Sequence, residues 1–230
     1  MSIPYPCLCL VTDRGVCPPD ELPQRAAAAV AGGVDMVQLR DKELPGGALF
    51  EQAMELREVV QDLALLLVNE RADVAAASCS HGVQLGEAAL ATELVRAIVG
   101  GDAIIGRSVH SVDGAKDAAA AGADFLLVGT MFATRSHPGE EPSGPGLLER
   151  IRAAGVSVPL LAIGGITADN IAQVMAAGAS GAAVITSVLA SDDPKAAARL
   201  LKSAMMDAVP ASSVNRNESG ADDRLAMERR

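Results

Sequence analysis

The sequence has little of what nucleic-acid or membrane binding requires. It contains no Trp, one Tyr and three Phe, and its 19 Lys and Arg stand against 29 Asp and Glu, a formal net charge of −10. Single-stranded nucleic acid needs aromatic stacking platforms, and phosphate backbones need clustered cations. No apolar run approaches the roughly 20 residues that span a bilayer, and the first residues do not resemble a signal peptide. We therefore expect a soluble, cytoplasmic protein with neither nucleic acid nor membrane as a partner.

Cysteine is also scarce, and its spacing excludes a disulfide framework. The four cysteines form neither a CxxC pair nor a dense pattern, and two of them lie inside a predicted strand. We expect reduced thiols that serve mainly as small core residues. They are Cys7, Cys9, Cys17 and Cys79.

Short apolar runs alternate with Ala-rich helical segments along most of the chain. Most runs are continuously apolar before they turn polar, as strands of a parallel sheet covered on both faces are. The eight runs are CLCLVTD, MVQLRDK, ALLLVNE, GVQLGE, IIGRSVH, FLLVGTMF, PLLAIGG and GAAVITSVL. The predicted helices span roughly 21–32, 47–62, 71–78, 90–99, 112–121, 144–154, 168–177 and 194–207.

This alternation predicts an α/β fold, a single-domain (β/α)8 barrel over residues 1–209. The alternative is an open doubly wound sheet, but such a sheet gives no reason for the number of predicted strands to be eight. A weak repeat supports the alternation: AGGVD, AGAD and AGAS each end an Ala-rich helix with a glycine turn before a strand. From residue 210 the apolar period is lost, so a disordered tail is expected over 210–230.

Polar residues gather where the predicted strands end. In a (β/α)8 barrel the loops at the carboxyl ends of the strands form the active face. A polar rim over an apolar interior is typical of a small-molecule site. The candidates for substrate binding are Gln38, Arg40, Lys42, Asn69, Ser108, Thr134, Ser136 and His137.

Positive charge at one part of this rim suits an anionic ligand. The two-residue strand period puts Gln38, Arg40 and Lys42 on one face, so that the two cations emerge at the barrel mouth. There they could bind phosphate, pyrophosphate or carboxylate. The alternative is that both cations pair with neighbouring Asp or Glu.

A second part of the rim has the usual position of a barrel phosphate site. Gly164 and Gly165 end the seventh strand, and Thr186 and Ser187 end the eighth at the entrance of a helix. Backbone amides in such loops bind phosphate. We predict phosphate binding by these four residues.

The three histidines differ in their predicted positions. Ser108 and His110 share one face of their strand and Arg107 lies on the other. If the first face points inward, His110 lies at the barrel mouth as a candidate proton-transfer group, and Arg107 is structural. The alternative for His110 is a rim residue without a catalytic role. His81 precedes the fourth strand at the opposite end and is predicted to be structural, whereas His137 lies in a possible lid loop, as a substrate contact or an anchor.

An ordered set of motifs between about Leu10 and about Leu201 carries a family resemblance. The motifs are QLRDK, NERADVA, GRSVHS, ADFLLVGTMFATRSHPG, AIGGIT and GAAVITSVL. With them the chain resembles the thiamine phosphate synthase and thiazole tautomerase superfamily. The resemblance implies a (β/α)8 barrel that acts on a small-molecule thiazole phosphate.

In the synthase branch a hydroxymethylpyrimidine pyrophosphate is joined to a thiazole phosphate, with magnesium held by acidic residues. The resemblance places Glu70 where the family's third strand usually has an acidic ligand. Ala89 stands at the position of a second ligand, and Glu87 could substitute for it. The lysine that usually ends the loop after strand six is missing.

The tautomerase branch aromatises a carboxylated dihydrothiazole phosphate by a proton shift and requires no metal. Its catalytic histidine falls on His110, and Arg40 or Lys42 could hold the substrate carboxylate. On these departures we expect a thiazole tautomerase, an isomerase without a cofactor. The alternatives are a magnesium-dependent thiamine phosphate synthase and a non-catalytic binding protein on the same barrel. The barrel's outer face could also support a homo-oligomer.

Overall fold

Eight parallel strands close into a barrel in the order of the chain. A computed structural model describes residues 2–134 and 141–209. Each strand pairs with the next, and the eighth returns to pair with the first. The strands are β1 (Cys7–Val11), β2 (Met36–Leu39), β3 (Leu65–Asn69), β4 (Gly82–Leu85), β5 (Ile104–Val109), β6 (Phe125–Val128), β7 (Leu160–Ile163) and β8 (Gly181–Val184). The predicted (β/α)8 barrel is confirmed.

The helices connect successive strands. In the described ranges they are α1 (Leu22–Ala31), α2 (Gly46–Val60), α3 (Ala72–Ala77), α4 (Thr92–Val99), α5 (Val112–Ala120), α6 (Gly146–Ala153), α7 (Ile171–Ala176), α8 (Thr186–Leu189) and α9 (Pro194–Asp207). The predicted bounds hold within a few residues. The short helix α8 was not predicted, because its residues continue the apolar pattern of β8.

Strand alternation divides the core into two layers. One set of side chains fills the barrel, and its buried members include Cys9, Met36, Leu67, Phe125 and Leu161. The other set packs under the helices and includes Leu10, Val37, Leu66, Leu126 and Ala162. Because both faces of every strand meet apolar groups, the strands read as continuous apolar runs.

Cysteine fits this core in three of its four positions. Cys7, Cys9 and Cys17 are buried free thiols, whereas Cys79 is exposed, which the prediction of core residues missed. Burial raises the pKa of Cys9 to about 12, so this thiol stays protonated at neutral pH. Within the described ranges no helix is long and apolar enough to cross a membrane. The predicted tail lies outside the described residues.

The end of the barrel opposite the carboxyl ends repeats one hydrogen bond four times. A side chain just before each even-numbered strand accepts the N–H of a residue near the start of the preceding strand. The four bonds join Asp35 Oδ2 to Leu8 N at 2.7 Å, His81 Nδ1 to Leu66 N at 2.9 Å, Asp124 Oδ2 to Ile105 N at 2.7 Å, and Ser180 Oγ to Leu160 N at 3.3 Å. The predicted structural role of His81 agrees with this position.

Three of these acceptors also bind a cationic side chain from a helix. Lys202 Nζ lies 2.6 Å from Asp35 Oδ2, and Arg96 Nη2 lies 2.7 Å from Asp124 Oδ2. A third cation, Arg152, donates to Ser180 Oγ at 3.1 Å. The AGGVD, AGAD and AGAS repeats end in these three acceptors. Each repeat therefore supplies a glycine turn and also a side chain that hydrogen-bonds both a strand and a helix.

Candidate active site

A cavity of about 280 Å³ lies at the carboxyl ends of the strands. It brings together every predicted site residue that the structure describes. These are Gln38, Arg40, Lys42, Asn69, Glu70, Ser108, His110, Thr134, Gly164, Gly165, Thr186 and Ser187. Ser136 and His137 lie outside the described residues. The functional roles of all these residues stay predictions.

The lower part of the cavity is apolar. Val11, Leu127, Ile163 and Ala183 belong to the interior layer and also line the cavity. Polar groups therefore occur mainly where the strands end, above a dry interior. A ligand with an apolar ring and charged substituents matches this division.

Gln38 and Asn69 form a fixed pair on neighbouring strands. The register places Gln38 of β2 beside Leu67 of β3, and the Gln38 amide Nε2 donates to Asn69 Oδ1 at 3.0 Å. Since Gln38 is buried, its amide is held firmly. The bond occupies the Asn69 carbonyl oxygen, so the Asn69 NH₂ group is the part that can donate to a ligand.

Arg40 is anchored through its backbone and paired through its side chain. The buried Thr12 hydroxyl accepts from Arg40 N at 2.8 Å, and the guanidinium lies 3.9 Å from the Asp13 carboxylate. Lys42 is exposed and has no ion pair among the described residues. The alternative interpretation of paired rim cations therefore holds for Arg40 and not for Lys42.

His110 contacts an acidic side chain from the preceding strand–helix loop. Its Nδ1 lies 3.0 Å from Glu87 Oε2. Arg107 points to the other side, as predicted, and its guanidinium donates to the backbone carbonyls of Leu90 at 2.6 Å and Glu87 at 3.0 Å. Arg107 thus fastens the loop that presents Glu87 to His110.

Steric packing requires the two glycines after β7. Gly164 and Gly165 have φ values of 103° and 63°, in the region that favours glycine. A Cβ at Gly164 would lie 2.5 Å from Thr130 Cγ2, and one at Gly165 would lie 2.5 Å from the Ala133 carbonyl oxygen. The glycine pair therefore lets the loops after β6 and β7 meet at the cavity wall.

The hydroxyl of Ser187 is already engaged. Its Oγ donates to the Ile166 carbonyl at 2.5 Å, which ties the chain after β8 to the loop after β7. Phosphate binding by Ser187 would therefore use its backbone N–H. Thr186 and the glycine pair line the same part of the cavity.

Glu70 is one of the carboxylates that line the cavity. It adopts a left-handed conformation with φ of 59°, rare for a non-glycine residue and frequent at functional sites. A Cβ at Gly86 would lie 2.5 Å from Glu70 Oε1, so the absence of that atom makes room for the carboxylate. No group of three or more potential metal ligands occurs among residues 2–134 and 141–209. Magnesium commonly needs only one or two carboxylates besides substrate phosphates, and Glu70 fits that requirement.

Asp13, Thr130 and Gln84 were not among the predicted site residues, and Glu87 was named only as a possible substitute for a metal ligand. Asp13, Glu87 and Thr130 line the cavity, and Gln84 lies directly behind Ser108. Asp13, Glu87 and Gln84 all end predicted strands, so their positions were visible in the sequence. Their contacts were not, because each contact joins different strand–helix units.

The fold and the cavity define a class: a (β/α)8 barrel with a partly polar cavity at the carboxyl ends of its strands. Comparison with known protein families identifies the family within this class. The chain belongs to the thiamine monophosphate synthase family, whose model matches residues 8–188.

Individual relatives agree with this assignment. The chain is similar to the thiamine-phosphate synthase of Natronomonas pharaonis, with 45% identity over 80% of this chain and 87% of the relative. It is 50% identical to the thiamine-phosphate synthase of Methanoculleus marisnigri over 77% of this chain and 84% of the relative. Among solved structures, thiamine phosphate pyrophosphorylase from Pyrococcus furiosus has a TM-score of 0.81 and 33% identity, covering 89% of this chain and 97% of that one.

These comparisons correct the predicted activity. The expectation of a thiazole tautomerase, and with it an isomerase, is wrong, because these relatives are synthases. The expectation gave too much weight to Ala89 and to the missing lysine. One lost carboxylate does not by itself exclude magnesium, which proteins commonly bind through only one or two carboxylates together with waters and substrate phosphates. The presence of His110 in GRSVHS likewise does not define one reaction.

Proposed function

We propose that this chain is a thiamine-phosphate synthase, a transferase that joins a hydroxymethylpyrimidine pyrophosphate to a thiazole phosphate. The observation that carries the proposal is a cavity lined by two sets of residues whose donors and cations suit anions. One set follows β2, β3 and β5, and the other follows β7 and β8. Two phosphorylated substrates require two such sets around one reaction centre. The identity to synthases of about the same length supports the same reaction.

The set after β2, β3 and β5 suits the pyrophosphate. Lys42, which has no ion pair among the described residues, supplies a cation. The Asn69 NH₂ group and the Ser108 hydroxyl supply donors, and Glu70 lies beside them. Charge accumulates on the leaving pyrophosphate as its bond to the pyrimidine methylene carbon breaks and the bond to the thiazole forms. Fixed donors and cations stabilise that charge in the transition state.

Glu70 would hold magnesium against the pyrophosphate. The ion, when bound, neutralises phosphate charge and makes pyrophosphate a better leaving group. Among the chain's own groups, Lys42 and Asn69 bind the pyrophosphate oxygens. The apolar floor of Val11, Leu127 and Ile163 excludes water from the reacting carbon.

The set after β7 and β8 suits the thiazole phosphate. Gly164 and Gly165 bring backbone to the cavity wall, and Thr186 adds a hydroxyl. These positions match the phosphate site that (β/α)8 barrels commonly form after their last two strands. The thiazole ring would then point toward the pyrimidine bound on the other side.

Coupling of the two substrates by the purified protein tests the proposal. Thiamine phosphate and pyrophosphate should form in equal amounts with magnesium and should not form in EDTA. Glu70→Gln should abolish most of this activity, whereas Glu51→Gln, at an exposed position of α2, should not change it. Absence of coupling with magnesium present, or full activity of the Glu70→Gln variant, would contradict the proposal.

A further inference from the structure

Gln84 is a buried polar residue that does not itself line the cavity. It lies on the inward face of β4, and only 1% of it is exposed. Its partner in the β4–β5 register is Gly106, and a Cβ at Gly106 would collide with Gln84 Oε1 and with the Phe125 ring. The glycine of the IIGRSVHS strand thus creates the space that the Gln84 side chain fills.

The Gln84 amide is oriented by a backbone carbonyl. Its Nε2 donates to the Leu85 carbonyl oxygen at 3.2 Å and to Ser108 Oγ at 3.1 Å. A carbonyl can only accept, so the NH₂ group must occupy this side of the amide. The direction of the second bond follows: Gln84 donates and Ser108 Oγ accepts.

Because the Ser108 hydroxyl accepts this hydrogen bond, its own proton must be donated elsewhere. A serine hydroxyl has one proton, and Gln84 has no lone pair on the side that faces it. The Ser108 proton is therefore available to an acceptor in the cavity that Ser108 lines. The serine becomes a directed donor rather than a group that turns freely between donating and accepting.

The carbonyl oxygen of the Gln84 amide makes this arrangement unfavourable for the stability of the fold. Gln84 Oε1 is buried and has no hydrogen-bond partner among the described residues. Buried acceptors without partners are rare, and each one found in a protein needs an explanation. An apolar side chain of the same size would avoid the unpaired oxygen, so stability alone does not account for glutamine here.

We propose that Gln84 is a positioning residue, which commits the Ser108 proton to a phosphoryl oxygen of the bound pyrophosphate group. The proposal rests on the proposed synthase function for the identity of the ligand. It depends on the Gln84–Ser108 bond alone for the direction of the proton. Ser108 contacts the substrate, and Gln84 acts only through Ser108.

A double-mutant cycle tests this role. The variants are Gln84→Met, Ser108→Ala and both together, with the KM for the pyrophosphate substrate, kcat and the Kd of inorganic pyrophosphate measured for each. Ser108→Ala should raise KM and Kd about tenfold, the usual effect of losing a hydrogen bond to a charged group, and Gln84→Met should raise both by a smaller factor, because its Ser108 hydroxyl can still donate but is no longer oriented. The kcat should change much less. The double variant should bind no more weakly than Ser108→Ala, because Gln84 has no route to the ligand except through Ser108.

Stability measurements separate positioning from a structural role. Gln84→Met removes the unpaired oxygen, so its Tm should equal or exceed that of the wild type. Gln173→Met is the control, since Gln173 lies at an exposed position of α7 and does not line the cavity. That control should leave KM and Kd unchanged. If Gln84→Met does not fold, Gln84→Leu takes its place in the cycle.

The outcomes are distinguishable from failure of the proposed function. Loss of pyrophosphate affinity in Gln84→Met, absent in the Ser108→Ala background, supports the inference even if the wild type couples no substrates. Multiplicative effects of the two substitutions would overturn it. Unchanged KM and Kd in Gln84→Met would overturn it too, as would a wild-type protein that binds no pyrophosphate.

Discussion

The imidazole of His110 and the carboxylate of Glu87 meet at the mouth of the cavity, with Nδ1 and Oε2 3.0 Å apart. A carboxylate accepts, so the bond favours the tautomer with its proton on Nδ1. The Nε2 atom then has no partner among the described residues and is free to contact a ligand. The side chains are 52% and 59% exposed, so water screens their charges and the pair contributes little to stability.

Two substitutions of Glu87 should show whether it acts by orienting the His110 imidazole through a hydrogen bond or by its negative charge. Glu87→Gln keeps an oxygen acceptor for Nδ1–H, and its kcat/KM should stay within about threefold of the wild type. Glu87→Leu removes the acceptor and should lower kcat/KM about tenfold, with the free energy of unfolding changed by less than about 1 kcal/mol. Steady-state kinetics and urea unfolding measure both effects. Equal losses in the two variants would show that the charge, and not the hydrogen bond, matters.

His81 should make stability depend on pH. Its Nδ1 must be unprotonated to accept the Leu66 N–H. Burial, and then the nearby Arg57 charge, lower the pKa of His81. A lowered folded-state pKa means that the stabilisation is complete above the unfolded pKa of about 6.5 and is lost as the pH falls below it.

The matched variant for this test is His81→Asn, which can accept the same N–H without titrating. Urea unfolding of both proteins at several pH values measures the difference. Between about pH 7 and about pH 5 the wild type should lose stability relative to the variant. A constant difference over this range would argue against His81 as the source. Activity at pH 7.5 should be similar in both, since His81 lies at the end of the barrel opposite the cavity.

Asp35 and Lys202 connect the start of the barrel to α9. Substitution of Asp35 should lower the free energy of unfolding much more than substitution of Lys202. Asp35 serves both Leu8 N–H and Lys202, so Asp35→Ala leaves the Leu8 N–H unpaired and leaves Lys202 with the Pro6 carbonyl but without its counter-ion. We expect a loss of about 2–3 kcal/mol from the free energy of unfolding. Lys202→Met leaves Asp35 bonded to Leu8 N–H and should cost about 1 kcal/mol. Chemical denaturation gives both numbers, and equal costs would contradict the dual role of Asp35.

Gly106→Ala should destabilise the protein and weaken ligand binding together. The added methyl group would meet Gln84 and Phe125, and overpacking of this kind typically costs about 1–3 kcal/mol. Gly101→Ala is the control, because a Cβ there meets nothing within 4 Å, and its stability should change by less than about 0.5 kcal/mol. Thermal unfolding and pyrophosphate titration provide the comparison. A Gly106→Ala protein with wild-type affinity would show that Gln84 can relax without disturbing Ser108.

The sequence by itself determined the barrel and the end at which the site lies. Strands buried on both faces must be apolar throughout, so eight such runs between helices were readable without coordinates. Strand alternation likewise placed Ser108 and His110 on one face and Arg107 on the other, and the structure shows that the first face points into the barrel. The sequence could not fix where β8 ends, since Thr186–Leu189 continue its apolar pattern as a helix.

Only the tertiary structure decided which groups act on one another. Gln84 and Ser108 are 24 positions apart, and the pairing of Glu87 with His110 and of Gln38 with Asn69 also joins different strand–helix units. Local patterns report the environment of a residue along its own strand or helix, because they arise from burial of one face. The direction of a hydrogen bond between strands depends on register and closure of the whole barrel. The sequence could therefore predict which residues line the site. The hydrogen-bonded pairs among those residues became visible only in the folded structure.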